Sequence, residues 1–188
     1  GAGIEPMALV SLMARLGSGD PVELRSSLEA VVAGFELARF GASPTRFDPA
    51  ELEALSARVL HRMDYGEIAG TLSSLGVPPD LAPAFWEAIR GNVAQREEIA
   101  GWWAVCRGEF APAVEEADAA FVAEAVALLP PWPWDGATWA EWTGRVKAAT
   151  GRKGKSLFMP LRQALTGRSS GPEMATLMPL LRGPLSGG

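Results

Sequence analysis

Helix start signals recur along this 188-residue chain, and strand patterns are nearly absent. The segment Asp48-Pro49-Ala50-Glu51 combines a capping aspartate, a proline that the first turn tolerates, and a glutamate three residues after the cap. Asp64 and Glu67 repeat this spacing before an apolar stretch that ends at Gly76. No run of alternating β-branched residues exceeds a few positions. These signals predict an all-α fold.

The same signals locate the individual helices. The first is predicted to begin at Pro6 and to end by Gly17, and a capping box is predicted over Ser26–Glu29. The segment Pro130–Trp134 cannot be helical and is expected to be extended. The remaining predicted helices span about 48–60, 64–75, 80–103, 113–129, 135–151, 156–166 and 171–182.

Cysteine and histidine are too rare for several kinds of site. The single cysteine, Cys106, excludes an internal disulfide and a Cys-rich zinc site, is typical of a cytoplasmic protein, and is expected to be buried. The single histidine, His61, argues against a Ser-His-Asp site and is expected to cap the C-terminus of a helix. The sequence has no apolar run of ~18 residues and no signal peptide pattern. Without phosphate-binding glycine loops, a nucleophile elbow or metal-ligand spacings, the residues alone predict no active site.

Charge is distributed unevenly along the chain. Residues 1–144 carry 9 Lys/Arg and 21 Asp/Glu, a net charge of −12, whereas residues 145–188 carry 8 Lys/Arg and only one acid, Glu173, a net charge of +7. The whole chain therefore has a net charge of −5, and this average hides its basic end. Such an asymmetry predicts a polyanionic partner for residues 145–188.

The turn Gly151–Lys155 is the most basic stretch of this segment. Its two glycines would let the backbone approach a phosphate closely, and its three cations would supply the charge. The alternative is a solvated loop. Further along, Pro160 can lie in a first helical turn, with Arg162 on the next turn and near the helix N-terminus, where an anion is favoured. The same spacing also suits a surface arginine on a packed helix.

Four tryptophans lie between residues 132 and 142. Stacking on nucleobases is one interpretation of such a cluster, and packing in a core is the other. Trp139 and Trp142 share a helix face, which favours the core, and the same interpretation is favoured for Trp102 and Trp103.

Three segments carry a family resemblance, and they follow one another in the expected order. Residues 151–167 read GRKGKSLFMPLRQALTG, residues 3–9 read GIEPMAL, and Phe47-Asp48 is followed by Glu51-Leu52. The first of these resembles the signature near the C-terminus of bacterial glutamyl-tRNA synthetases. The second is similar to the segment downstream of their class I signature loop, and the third resembles the entry into their anticodon-binding region. Together they extend over nearly the whole chain.

The resemblance implies a C-terminal fragment with three parts. Residues 1–46 would be the end of a stem-contact region, 47–108 a first helical anticodon-binding subdomain, and 109–188 a second one. The catalytic domain, with its HIGH-like and KMSKS-like motifs, is not in this sequence, so we expect no catalytic residues, no metal site and no cofactor here. ATP and Mg²⁺ would serve the parent enzyme, a glutamate–tRNA ligase. The expected partner is glutamate tRNA, with glutamine tRNA as a second candidate, and the expected state is a cytoplasmic monomer with no membrane contact.

The resemblance also implies the residues that meet the tRNA. Arg162 matches an arginine that contacts the anticodon, and Met159 matches a neighbouring contact. The loop and helix start that follow would contribute Ser169, Gly171, Pro172 and Met174. The basic turn is expected to meet tRNA phosphates through Arg152, Lys153 and Lys155.

A further position would check the third anticodon base. The resemblance aligns Asn92 with it, and an alignment shifted by two residues would put Arg90 there instead. Arg at this position is typical of family members that charge only glutamate tRNA, so Asn92 implies that glutamine tRNA is also accepted.

Two other functions remain open at this point. One is a helical protein-interaction module whose acidic N-terminal part docks a partner and whose Pro130–Trp134 segment is a polyproline II ligand. The other is a general RNA-binding domain without anticodon specificity.

Overall fold

The computed structural model describes residues 3–18, 20–41 and 48–182. Within these ranges it contains ten α-helices and no β-strand, which confirms the all-α prediction. The helices are α1 (Pro6–Met13), α2 (Leu28–Ala33), α3 (Pro49–Arg62), α4 (Tyr65–Ser74), α5 (Ala82–Ile89), α6 (Glu98–Cys106), α7 (Ala119–Ala127), α8 (Thr138–Thr150), α9 (Lys155–Thr166) and α10 (Met174–Leu177). Short 3-10 turns lie at Leu37–Arg39, Arg90–Asn92, Glu116–Asp118 and Met178–Leu180. The motif residue Phe47 and the predicted boundary at 46/47 lie outside the described residues.

The chain divides into two compact units. Unit 1 takes its residues from 1–68 and 90–99, and unit 2 from 69–89 and 100–188. The two units therefore alternate along the sequence. This division differs from the three parts predicted with boundaries at 46/47 and 108/109, which stay predictions.

The strongest predicted helix starts are confirmed by side-chain caps. The Asp48 carboxylate accepts a hydrogen bond from the Ala50 N–H at 2.9 Å, and Pro49 occupies the first position of α3. The Glu67 carboxylate accepts from the Asp64 N–H at 2.9 Å, at the start of α4. Asp135 accepts from the backbone N–H groups of Ala137 and Thr138, where α8 begins. Each cap satisfies a donor that the first turn leaves without a partner.

Four predicted elements are wrong in detail. The cap before α2 is Ser27, which accepts from the Ala30 N–H at 3.2 Å, and Ser26 is not the cap. The single helix predicted over 80–103 is two helices, because the chain leaves α5 through the Arg90–Asn92 turn and Glu98 accepts a new bond from the Ala94 N–H at 2.8 Å. The helix predicted over 113–129 begins only at residue 119. The helix predicted over 171–182 has four residues, since Pro179 has no N–H with which to continue it.

Unit 1 is built around α1 and α3. Helix α1 packs against α2 and α3, and α3 also contacts the Arg90–Asn92 turn. The buried cluster at the α1–α3 contact consists of Ala8, Leu12 and Leu55, with Val22, Leu52 and Val59 packed against it. His61 lies in the last turn of α3, and its Nε2 is 3.0 Å from the Val93 carbonyl oxygen. His61 therefore bonds outside its own helix and does not cap it.

Unit 2 has an aromatic core. Helix α10 packs against α5 and α8, and α9 packs against α7 and α8. Trp142 is fully buried and donates its indole N–H to the Ala125 carbonyl at 2.7 Å. Trp102 and Trp103 are 2% and 3% exposed, so the core interpretation is confirmed for these tryptophans. Cys106 is buried as predicted, and burial raises the pKa of its thiol to about 12.

The segment Pro130–Trp134 is non-helical, as predicted, but it bends at Trp132 and Pro133 and is not extended throughout. Trp134 is buried and donates to the Pro130 carbonyl at 2.9 Å, whereas Trp132 is exposed and donates to the Leu181 carbonyl at 3.2 Å. Within the described ranges, none of the helices combines the length and the apolar character that crossing a bilayer requires.

Candidate functional site

The basic segment of unit 2 begins at a turn set by two glycines. Gly151 ends α8 with a φ of 70°, and its N–H donates to the Lys147 carbonyl at 2.9 Å. Gly154 precedes α9 with a φ of 58°, and its carbonyl accepts from the N–H groups of Leu157 and Phe158. Both φ values lie in the left-handed region that favours glycine. The predicted glycine-dependent turn is therefore present, between two helices.

Arg152 is held by partners inside unit 2. Its guanidinium forms an ion pair with Asp118 and lies 3.9 Å from the centre of the Phe121 ring. It also donates to the Ser156 carbonyl at 3.2 Å. That carbonyl is the one to which residue 160 of α9 would donate, and Pro160 has no N–H. Arg152 thus supplies the donor that Pro160 lacks, and a phosphate would have to compete with Asp118 for it.

Pro160 does not lie in a first helical turn, as the sequence suggested. Helix α9 begins at Lys155, so Pro160 is its sixth residue. The buried side of this helix is formed by Leu157, Pro160, Leu161, Ala164 and Leu165. Lys155, Phe158 and Arg162 lie on the other side, because residues three and four apart share a helix face.

Arg162 connects α9 to the loop that follows it. Its Nη1 donates to the Pro172 carbonyl at 2.9 Å, so two of the predicted anticodon contacts are brought together. The side chain is half-buried, and desolvation lowers the pKa of the guanidinium from its usual value. A guanidinium has five N–H donors, and one hydrogen bond to a carbonyl leaves most of them for another acceptor.

The loop after α9 is held against Trp102. The Arg168 guanidinium lies 4.2 Å from the centre of the Trp102 ring. Gly171 has a φ of 143°, and a Cβ at this position would lie 2.2 Å from Cη2 of Trp102. Thr166 fixes the start of the loop, since its hydroxyl donates to the Arg162 carbonyl at 2.8 Å and accepts from the Arg168 N–H at 3.1 Å. The loop is therefore in close contact with the core of unit 2.

The other predicted anticodon contacts differ in accessibility. Ser169 is exposed, and Met159 and Gly171 are half-buried. Pro172 is buried and offers its carbonyl to Arg162, as described above. Met174 is only 3% exposed, so its side chain belongs to the core in this conformation.

The two lysines of the basic turn are accessible. Lys153 and Lys155 are both exposed, and among the described residues no ion pair engages either of them. Lys155 is the first residue of α9, where the unpaired N–H groups of a helix start also favour an anion. Of the three predicted phosphate contacts, these two are free to act and Arg152 is engaged.

Phe158 is an exposed residue of this surface that the sequence did not single out. It is 44% exposed, and its ring centre lies 6.2 Å from that of Trp139. Its spacing of three residues from Lys155 and four from Arg162 is the signal that could have identified it.

Asn92 belongs to unit 1, whereas the other predicted site residues belong to unit 2. It is exposed, and it ends the Arg90–Asn92 turn that interrupts the predicted long helix. Arg90, the alternative at this position, is half-buried in the same turn.

Comparison with known proteins connects this surface to a family. The family model described as an anticodon binding domain matches residues 110–182. The chain is 55% identical over 181 residues to glutamate–tRNA ligase 2 of Jannaschia sp. (strain CCS1), covering 96% of this chain and 40% of the relative. It is 56% identical over 180 residues to glutamate–tRNA ligase 2 of Dinoroseobacter shibae, covering 96% of this chain and 41% of the relative.

A solved structure agrees at the level of the fold. The glutamate–tRNA synthetase of Elizabethkingia anophelis aligns with a TM-score of 0.72 at 18% identity, covering 94% of this chain and 38% of that chain. The chain thus spans about two fifths of the length of the curated relatives that it matches. The chain is similar to the glutamate–tRNA ligases over that part of their length, and its residues 110–182 match the model described as an anticodon binding domain.

Proposed function

We propose that this chain is the anticodon-recognising part of a glutamate–tRNA ligase, the enzyme that uses ATP to attach glutamate to its tRNA. The observation that carries the proposal is the bond from the Arg162 guanidinium to the Pro172 carbonyl. It joins α9 to the following loop inside the segment that matches the anticodon binding domain model. A guanidinium fixed in this way by one donor can present its others to a base edge.

Charge supports an RNA partner for the same segment. Lys153 and Lys155 are exposed on the turn that precedes α9, and residues 145–188 carry a net charge of +7. Contacts of this kind position a nucleic acid, whereas contacts to base edges select its sequence. We therefore assign the two lysines to tRNA phosphates and Arg162 to an anticodon base, with Ser169 and the backbone at Gly171 as neighbouring contacts.

The proposal assigns the chemistry of ligation to a different part of such a ligase. Within the described residues, no group of three His, Cys, Asp or Glu side chains could hold a metal ion. Because the resemblance assigns glutamate activation to the catalytic domain of the family, we expect the 188-residue chain alone neither to activate glutamate nor to charge tRNA. A monomer in the cytoplasm, where translation takes place, stays the predicted state.

The test compares tRNAs that differ only in the anticodon. Arg162→Ala should weaken binding of the chain to glutamate tRNA more than binding to a tRNA with an altered anticodon, because a good bidentate base contact is worth ~1–3 kcal/mol of discrimination. Arg162→Lys should also lose discrimination, since an ammonium cannot copy the planar fork. Equal losses for every tRNA would reduce Arg162 to a phosphate contact.

A matched control comes from the same basic segment. Arg145 is 52% exposed and pairs with Glu141 one turn away on α8. Arg145→Ala removes the same charge, so it should change all affinities modestly and leave the preference among anticodons intact. If the unaltered chain binds all tRNAs equally, the general RNA-binding function is correct and the anticodon proposal is not.

The same assay addresses the third anticodon base. Asn92 lacks the guanidinium fork, so glutamine tRNA should compete nearly as well as glutamate tRNA for the unaltered chain. Asn92→Arg should shift the preference toward glutamate tRNA. A strong preference for glutamate tRNA before any substitution would reject this role for Asn92.

The protein-interaction alternative has less support. Its proposed ligand, Pro130–Trp134, uses both of its indole N–H groups inside unit 2, and Trp134 is only 6% exposed. A polyproline ligand needs accessible side chains along its length.

A further inference from the structure

We propose that Phe158 is a stacking platform for an unpaired nucleobase of the bound RNA. The inference rests on the proposed function, because it takes an RNA partner as given. It adds a residue that neither the basic charge nor the anticodon motif identifies. The chemical class of the ligand is a base in a single-stranded loop, with its phosphates next to the lysines that lead into α9.

The first observation is the exposure of this ring. In unit 2, Phe158 and Trp132 are the large apolar side chains that the described residues leave exposed, at 44% and 53%. Trp132 has a structural role, since its indole N–H donates a hydrogen bond to the Leu181 carbonyl. The α9 residues that pack into the core, such as Leu157 and Leu161, are at most 1% exposed. Phe158 therefore points away from the core that its neighbours form.

The second observation is the support behind the ring. The Phe158 and Trp139 ring centres are 6.2 Å apart, and Trp139 in turn meets the buried Trp142 edge to face at 5.7 Å. This series of rings links an exposed aromatic surface to the fully buried core. A ring fixed in this way loses little conformational entropy when a base stacks on it.

The third observation is the charge on either side of the ring. Lys155 lies one turn before Phe158 on α9 and Arg162 one turn after it, on the same helix face. Proteins that bind single-stranded nucleic acid combine cations that follow the backbone with aromatic rings on which bases stack. Within eight residues, this face of α9 carries a cation for a phosphate at Lys155, an aromatic ring at Phe158 and a guanidinium for a base edge at Arg162.

Substitutions at Phe158 separate stacking from packing. In the 188-residue chain, Phe158→Ala should weaken binding to a glutamate tRNA transcript by about 5- to 150-fold, the stacking contribution of one base expressed as a ratio. Phe158→Leu keeps apolar contact with Trp139 but has no aromatic face, so it should lose nearly as much. Phe158→Tyr keeps the face and should bind like the unaltered chain. Far-UV circular dichroism and urea unfolding would establish that each variant is folded.

A charge variant distinguishes the ring from its neighbours. Phe158→Ala should leave the slope of log K against log salt unchanged, because it removes no phosphate contact. Lys155→Ala should make that slope shallower by ~0.7–0.9. The matched control is Trp132→Ala, which removes the other exposed aromatic ring among the described residues of unit 2, at a position that is 53% exposed and carries no predicted tRNA contact. It should leave tRNA binding unchanged.

The outcomes keep this inference apart from the proposed function. If the unaltered chain does not bind glutamate tRNA, the proposed function fails with it. If the chain binds but Phe158→Leu binds equally well, the ring only packs against Trp139 and the stacking role is rejected. Normal tRNA binding by Phe158→Ala would likewise reject the stacking role. An equal loss in Trp132→Ala would reject a stacking role that is specific to Phe158.

Discussion

The two units of this molecule use their apolar side chains in opposite ways. Among the described residues, the exposed large apolar side chains of unit 1 are Leu9, Met13, Leu16, Leu28, Val32, Phe35 and Leu37, which are 39–76% exposed, whereas those of unit 2 are Phe158 and Trp132. The three largest fully buried side chains, Trp86, Trp142 and Phe85, all belong to unit 2. The fully buried large side chains that the described residues of unit 1 contribute, Leu60, Ile68 and Ile99, are aliphatic.

Ion pairs between side chains are a prominent feature of unit 1. Glu5 is 5% exposed and receives two hydrogen bonds from the Arg96 guanidinium, at 2.6 and 3.0 Å. Asp20 pairs with both Arg15 and Arg39 at 3.1 Å. Hydrophobic burial scales with the apolar area removed from water, so unit 2 gains more from its core than unit 1 does. The comparison predicts that unit 2 is sensitive to packing changes and unit 1 to the loss of a buried ion pair.

The largest effect is expected from Trp142→Ala. It removes a fully buried side chain whose indole bonds to Ala125, so it should lower the free energy of unfolding by ~3–5 kcal/mol. The measurement is urea unfolding followed by far-UV circular dichroism.

Val32→Ala is the contrasting change in unit 1. Val32 is 67% exposed, and its substitution should change the free energy of unfolding by less than ~0.5 kcal/mol. If the two substitutions cost the same, the contrast in packing between the units would not hold in solution.

The next effect tests how far the tight packing of unit 2 extends. Gly171→Ala would place a Cβ 2.2 Å from Cη2 of Trp102 at a φ of 143°, so overpacking and backbone strain should together cost ~2–4 kcal/mol. Gly144→Ala is its matched control, because a Cβ there has no atom within 4 Å and lies inside α8. That change should stabilise the chain by ~0.5–1 kcal/mol. Two thermal or urea unfolding curves with shifts of opposite sign would support the contact, and equal shifts would reject it.

A smaller effect is expected from Arg96→Ala in unit 1. The substitution removes the guanidinium that pairs with the buried Glu5 carboxylate. Because Arg96 is about one third exposed, water can hydrate the carboxylate in its place and offset part of the lost interaction. We expect a cost of ~2 kcal/mol, below that of breaking a fully buried pair. Arg107→Ala breaks a pair with Glu109 in which both side chains are at least 40% exposed, and should cost under ~1 kcal/mol. Equal costs in urea unfolding would mean that unit 1 depends on its ion pair no more than unit 2 does.

Local signals explain why much of the fold was predictable. The starts of α3, α4 and α8 follow from Asp48, Asp64 and Asp135, whose caps involve residues two or three positions away. The break in the helix predicted over 80–103 involves distant contacts. There, Val93 is 1% exposed and its carbonyl meets His61, which is 32 residues away. Helical periodicity is a local property and does not report such contacts.

The candidate site also has features that the sequence predicts and features that depend on distant contacts. Its location followed from the charge of residues 145–188 and from the Arg162 motif, both of which are visible in the sequence. The engagement of Arg152 was not visible, because Asp118 lies 34 residues away. The close fit of Gly171 was hidden for the same reason, since Trp102 belongs to a different helix. Sequence spacing identified which residue types were available, and tertiary contacts decided which of them are free.

The smallest effect on stability is the pH dependence that Cys106 contributes, and the reactivity of its thiol tests the comparison between the units. The thiol is fully buried in unit 2, and burial raises its pKa from its ordinary value of 9.0 to about 12. Because the folded-state pKa of this acid is the higher one, its contribution to stability is present below pH 9 and is lost as pH rises from 9 toward 12. Near neutral pH we expect no pH dependence of unfolding from this group.

The measurable consequence of the raised pKa is a low reactivity of the Cys106 thiol, since the thiolate is the nucleophile. In the folded chain at pH 8, Cys106 should react with a thiol reagent only as fast as unit 2 opens. Val32→Cys, made in a Cys106→Ala background, places a thiol at a position that is 67% exposed in unit 1 and should react at the rate of an unfolded peptide. Similar rates for the two thiols would mean that the core of unit 2 opens readily, and the contrast between the units would then be lost.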